Sequence, residues 1–256
     1  MTGTADQLLL STPVSQSNRL ARFDSEVLTR GINSLKAARL LMEYGHWEHA
    51  GSVARQLFEL LINMEHLARM DDRLEGMLLY LRFGALQVAR QHQRTLLYNQ
   101  SSGRAVDTES LESLERLIDT QFADFRGKPK HDGTPTWVPS WSRKNTKTLA
   151  ELSNNPMRIH QHDHLYTSWS EQTHATPSSL LDNVFRETNE GWIDEVIESD
   201  DKQIIGTSSM TLMLFLELWE ILPHAAARPG DRAREWAREI MQMVAAPEFN
   251  SLPGYR

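Results

Sequence analysis

From residue 17 onward the apolar residues recur every three or four positions, the period of a helix with one buried side. Leu20, Phe23, Val27, Ile32, Leu35, Ala38, Leu41 and Met42 follow it, and Tyr44-Gly45 supplies a stop. A second helix is predicted over His46 to Met70, on Val53, Leu57, Leu60, Leu61, Met64, Leu67 and Ala68. Asp71-Asp72 offers an N-terminal cap to a third, which runs to about Asn99 and carries Leu74, Leu78, Leu81, Ala85, Val88 and Leu96. A fourth spans Asp107 to Phe125, with capping side chains in Asp107-Thr108-Glu109-Ser110 and Leu111, Leu114, Leu117, Ile118 and Phe122 on its buried side. Residues 127–145, rich in Gly, Pro, Lys and Trp, break the pattern and read as a loop. Helices resume over Thr146 to Ser153 and from about Met157 to Thr176, with Asn154-Asn155-Pro156 between them. Trp192 to Ile205 is ambiguous, and a short strand or turn is allowed there. Gly206 to Ile221 and Asp231 to Val244 are the last two helices, separated by Pro223 and Arg228-Pro229-Gly230.

There is no internal repeat and no series of alternating strands. The fold class expected is all-α, a multi-helix bundle of seven to nine helices with short early connections and a C-terminal helical hairpin. Residues 1–16 read as a flexible arm, 17–205 as the bundle core with its 127–145 loop, and 206–246 as C-terminal helices of the same domain.

Composition narrows the chemistry. A chain of 256 residues can bury a core without a covalent or metal staple. It contains no cysteine, which excludes disulfides, thiolate zinc sites, iron–sulfur clusters and cysteine nucleophiles. With 27 Lys+Arg against 34 Asp+Glu, the net charge of −7 argues against binding nucleic acid by global charge and leaves only a local basic patch. Glycine-loop nucleotide sites, the nucleophile elbow of serine hydrolases and EF-hand loops are missing from the text. The longest apolar stretch, Met210 to Leu222, is interrupted by Glu217 and Glu220, so no membrane partner is expected. The N-terminus lacks the pattern of a secretory signal, and the expected address is the cytoplasm.

Four groups of residues invite a chemical reading. On the second helix Arg55, Glu59, Ile62, Asn63 and His66 share one side. They form either a solvated face with an i,i+4 ion pair or one wall of a polar site. Further on, Asp163, Tyr166, Ser170 and His174 line up at helical spacing, where a histidine one turn after a hydroxyl can serve as a general acid or base. The alternative is a histidine that merely complements a helix C-terminus. His160 and His164, with Asp163 nearby, could share a metal, but a His-Glu-x-x-His pattern is missing and no metal or other cofactor is expected. Finally, Trp137 and Trp141 lie among Lys128, Lys130, Arg143, Lys144 and Lys147, a combination that can stack bases and neutralise phosphates or simply anchor the loop.

In order, Arg55-x-x-x-Glu59, Tyr80-Leu-Arg82, Trp141, Leu149 to Leu152 and Tyr166-x-x-x-Ser170-x-x-x-His174 followed by Pro177 resemble a bacterial family known as domain of unknown function 5677. More distantly, the early Arg-x-x-x-Glu and late small-polar-x-x-x-His resemble the HEPN superfamily of helical bundles. That resemblance implies a metal-independent endoribonuclease of a defence or toxin-type system, with RNA as substrate and a homodimer as the active form. It assigns the site to Arg55, Glu59, Tyr166, Ser170 and His174. The superfamily's catalytic signature is an arginine, four to six residues, then a histidine. Arg158 and His164 satisfy it, although Ile159 stands where a polar residue usually follows, and His174 has no arginine at that distance upstream. The rival reading is a non-catalytic binding or assembly module with an operon-encoded protein partner, its polar cluster a network that locks helix register.

Overall fold

The computed structural model describes residues 19–133, 135–168, 192–225 and 230–244. The described residues form eight α-helices: α1 (Arg19–Glu43), α2 (Trp47–Ala68), α3 (Arg73–Ser101), α4 (Thr108–Gln121), α5 (Thr146–Glu151), α6 (Met157–Asp163), α7 (Trp192–Glu220) and α8 (Gly230–Val244). A 3₁₀ turn over Ala123–Phe125 follows α4, and a π-helical turn over His164–Ser168 follows α6. There is no strand among the described residues, only one antiparallel bridge between Arg126 and Trp137. The fold is the all-α multi-helix bundle that the periodicity predicts. Among the described residues no helix is long and apolar enough to cross a membrane.

The helices divide between two compact units, one made of residues 1–68 and 149–256, the other of residues 69–148. In the first, α1, α2 and α7 pack on one another. Their shared interior holds Leu28 and Ile32 of α1, Leu57, Phe58, Leu61, Ile62 and Met64 of α2, and Phe215 and Trp219 of α7, all fully buried. Gly31 explains how closely α1 and α7 approach: a Cβ built there would lie 3.0 Å from Leu218 Cδ2 and 3.3 Å from Phe215 Cδ2. Glycine inside a helix costs about 1 kcal/mol relative to alanine, a penalty the close packing offsets. Asp24, also on α1, is fully buried and accepts the backbone N–H of His224 at 3.0 Å, tying the turn after α7 to α1. α8 packs on α7, with Trp236 stacked near Trp219 at 6.5 Å between ring centroids.

The expected turn or strand over Trp192 to Ile205 is corrected here: the segment is helical and continuous with the following helix, giving α7 its 29 residues. Gly206, read as a starting point, instead sits within that helix and has no heavy atom within 4 Å of a Cβ position. It interrupts propensity, not the backbone hydrogen-bond ladder, and burial of Thr207, Thr211, Leu214 and Phe215 just beyond it carries the helix through.

The second unit is an α3–α4 hairpin with the tryptophan-bearing loop folded onto it. Asp72 caps α3 by accepting the Glu75 N–H at 3.0 Å, and Asp107 caps α4 by accepting from Glu109 and Ser110. Leu86, Ile118, Phe122 and Phe125 form the core, with Phe83, Leu79, Ala89 and Trp137 against it. The α3 stripe of Leu74, Leu78, Leu81 and Val88, whose spacing defines the helix, is exposed. α3 is apolar on more than one side, and α4 with the loop covers the side bearing Phe83 and Leu86. The loop itself is fastened at several points. Gly127 donates to Thr136 O at 2.9 Å, Val138 to Phe125 O at 3.0 Å, and the Arg143 guanidinium to Asp124 O at 2.8 Å. Trp141 is buried edge-on against Tyr80, which makes it an anchor rather than a binding surface.

Candidate functional site

One turn apart on α2, Arg55 and Glu59 form an i,i+4 ion pair with Nε 3.5 Å from Oε1. Tyr166, 107 positions beyond Glu59, reaches them from the π-helical turn, and its hydroxyl donates to Glu59 Oε1. The Arg55 guanidinium carbon lies 3.8 Å from the Tyr166 ring centroid, at cation–π distance. His162 stacks on the same tyrosine, with centroids 4.5 Å apart and planes 12° from parallel. Asn63 Nδ2 donates to the Glu59 carbonyl at 2.7 Å. The Arg55 side chain is 26% exposed and that of Glu59 42%, so the cluster is open to solvent on one side.

Of the five residues assigned from sequence, Arg55, Glu59 and Tyr166 are thus brought together, while Ser170 and His174 lie outside the described residues. Two details of the wheel are corrected. Ile62, placed on the polar side of α2, is fully buried, because the helix presses against both α1 and α7 and its buried arc is wide. The single helix expected from Met157 to Thr176 changes type at His164, where the hydrogen-bonding pattern widens to a π turn. A π turn departs from the 3.6-residue wheel, and such turns recur at functional sites. Asp163 is exposed beside His162, 3.1 Å from Nδ1.

A second polar cluster has a different character. Arg158, half of the arginine–histidine spacing noted above, is only 2% exposed. Its Nε donates to Glu65 Oε1 at 2.8 Å, and its Nη1 to Glu217 Oε2 at 2.7 Å and Gln161 Oε1 at 2.8 Å. Ser153 Oγ donates to the second oxygen of Glu65 at 2.8 Å. Burial alone would lower the guanidinium's pKa, but the hydrogen bonds and charges of Glu65 and Glu217 outweigh it and hold it above its ordinary value. Partial burial pushes the His164 imidazole down, toward the neutral form. Arg158 therefore spends its donors on the protein interior, joining α6 to α2 and α7. Glu65 and Glu217 were not singled out as site residues by sequence. The available signal was Glu217 itself, a carboxylate inside the most apolar stretch of the chain, which demands a buried partner.

His160 is exposed, and among the described residues no group of three or more His, Cys, Asp or Glu side chains is placed to hold a metal.

A model described as a family of unknown function (DUF5677) matches residues 25–191, a span that includes Arg55, Glu59, Tyr166, Ser170 and His174. No curated protein and no solved structure matches the chain.

Proposed function

From the premise that the chain belongs to the DUF5677 family of unknown function, we propose that it is a HEPN-like, metal-independent endoribonuclease whose site is built around Arg55. The observation that supports this reading is the contrast between the two arginine clusters. Arg158 is sealed and hydrogen-bonded through all three of its nitrogens, as a structural lock should be. Arg55 is oriented by Glu59 and Tyr166 yet a quarter exposed, as a group that must meet a substrate should be.

In this reading the 2′-oxygen of a ribose attacks the adjacent phosphorus and the bond to the 5′-oxygen breaks, leaving a 2′,3′-cyclic phosphate and a 5′-hydroxyl. His174 takes the proton of the 2′-hydroxyl and returns one to the departing oxygen. The Arg55 charge stabilises the phosphorane, Glu59 orients Arg55, and Tyr166 and Ser170 position the backbone. A homodimer within a defence or toxin-type system is the biological setting this reading implies.

The test is incubation of the purified full chain with total RNA and tRNA, with and without chelator. Cleavage to cyclic-phosphate ends, indifferent to chelator and abolished by His174→Ala without loss of helicity, is the expected result. Undiminished cleavage by a folded His174→Ala protein overturns the proposal.

One observation favours the second reading, a non-catalytic binding or assembly module: Glu59 and Tyr166 satisfy each other, so the cluster also serves to dock the π turn on α2.

A further inference from the structure

The second unit carries a separate cationic pocket. It lies between α3 and the 126–139 segment, has a volume of about 460 Å³, and is lined by Phe83, Gln87, Arg90, Lys130, Trp137 and Pro139 among others. Trp137 organises its charge. The Arg126 guanidinium carbon lies 4.0 Å from the indole centroid and that of Arg90 5.1 Å from it. Arg126 is ion-paired with Asp119. Arg90 and Lys130 are different: among the described residues, no carboxylate is ion-paired with either.

Like charges without counter-charges are costly to gather. Burial first, and then the neighbouring charges of Arg94 and Arg126, lower the pKa of Arg90, so the folded protein works against its own charge at this point. An anion seated beside Arg90 relieves that repulsion, and Lys130 lines the same pocket. The chain carries a net charge of −7, so this local concentration of cations is set against the overall balance.

We propose that this pocket holds a backbone phosphate of a single-stranded nucleic acid, gripped by Arg90 and Lys130. A planar guanidinium beside a mobile ammonium suits the tetrahedral array of phosphate oxygens. Exposed Arg94, one turn along α3 from Arg90, and exposed Lys128, two residues before Lys130, extend the cationic track past a single anion, which selects a strand over a free ion. Trp137 acts as the platform that holds two guanidinium groups, so recognition here is by charge and tolerates any base sequence. The proposal does not rest on the cleavage reading.

The experiment is fluorescence anisotropy of a labelled 12-nucleotide 2′-O-methyl oligonucleotide, which offers no 2′-hydroxyl for attack, titrated with the full chain over a range of salt. Arg90→Ala combined with Lys130→Ala is expected to weaken binding roughly tenfold at 0.1 M salt and to flatten the log–log salt slope by about 0.7, the single-strand value for one lost phosphate contact. Arg234→Ala, at an exposed position of α8, serves as the charge-loss control and is expected to leave both unchanged. Circular dichroism checks that the double variant keeps its helicity, and Arg90→Lys with Lys130→Arg should restore binding. Failure of the wild-type chain to bind, an unaltered slope in the double variant, or an equal loss in the Arg234 control overturns the assignment. Displacement of the oligonucleotide by an equal concentration of inorganic phosphate overturns the strand in favour of a free anion.

Discussion

Glu65 Oε1 accepts from both Nε and Nη2 of Arg158, at 2.8 and 2.5 Å, while Glu217 takes Nη1 at 2.7 Å. One guanidinium thus bridges two carboxylates from two helices that are distant in sequence. Arg158→Ala leaves both charges partly buried without their cation and is expected to destabilise the fold by about 3–5 kcal/mol. Arg158→Lys keeps the charge but not the fork, and should recover only part of the loss. Urea unfolding of the three proteins measures this. A loss below about 1 kcal/mol in Arg158→Ala would show that the cluster does not hold the helices together.

Arg55 poses the opposite case. Its ion pair with Glu59 is half-exposed and contributes about 0.3–0.5 kcal/mol, and its stacking on Tyr166 about 0.5–1 kcal/mol. Arg55→Ala should therefore lower the Tm by no more than a few degrees, near the 2–4 °C per kcal/mol of a chain this size. In the cleavage reading the same variant loses RNA cleavage almost entirely. A large fall in Tm, matching that of Arg158→Ala, would instead make the Arg55 cluster a structural network and favour the assembly module.

The contrast between these two arginines marks what the sequence made legible. Arg55, Glu59 and Tyr166 share a cluster because helical spacing put two on one exposed side, and the third lay in a motif of matching order. Glu65 stayed hidden because it falls on no polar stripe: it sits between buried Met64 and half-buried His66, and its role appears only when Arg158 arrives from a segment 93 positions later. The π turn at His164 was equally silent, since the wheel assumes 3.6 residues per turn and nothing in the local residue types announces the change. On α3 the limit was different. Two sides are apolar, so periodicity identified the helix but could not say which side α4 would cover. The joined α7 shows propensity yielding to packing, because Gly206 reads as a break only when the burial beyond it is unknown.

Asp24 is the fully buried carboxylate of α1, and it receives the His224 backbone N–H at 3.0 Å with the His224 ring Nδ1 3.4 Å away. Removing the acceptor strands a donor at the turn that follows α7. Asp24→Ala is expected to cost about 1–3 kcal/mol, whereas Asp24→Asn, which still offers an oxygen in the same place, should cost less. His224→Ala removes only the ring contact and should lie nearer the wild type, because the backbone donor remains. The order Ala, then Asn, then the His224 variant in a denaturant series checks the assignment, and equal losses for Asp24→Ala and Asp24→Asn would contradict it.

The cap of α4 gives stability a pH dependence. The Asp107 carboxylate accepts the Ser110 hydroxyl at 2.6 Å and the Ser110 and Glu109 N–H groups at 3.3 and 3.1 Å, and these bonds, the Ser110 hydroxyl foremost, hold its pKa below the usual aspartate range. The folded state therefore binds a proton less readily than the unfolded chain, so the cap's contribution is present above the unfolded value, about 3.9, and is lost as pH falls through the folded one. The stability gap between wild type and Asp107→Ala should accordingly be widest near neutrality and narrow in acid. Ser110→Ala removes the largest of the three bonds, so the titration midpoint of the Asp107 carboxyl, followed by NMR, should move upward in that variant. A midpoint that does not move, or a gap that stays constant with pH, would mean that the serine hydroxyl does not stabilise the charged cap.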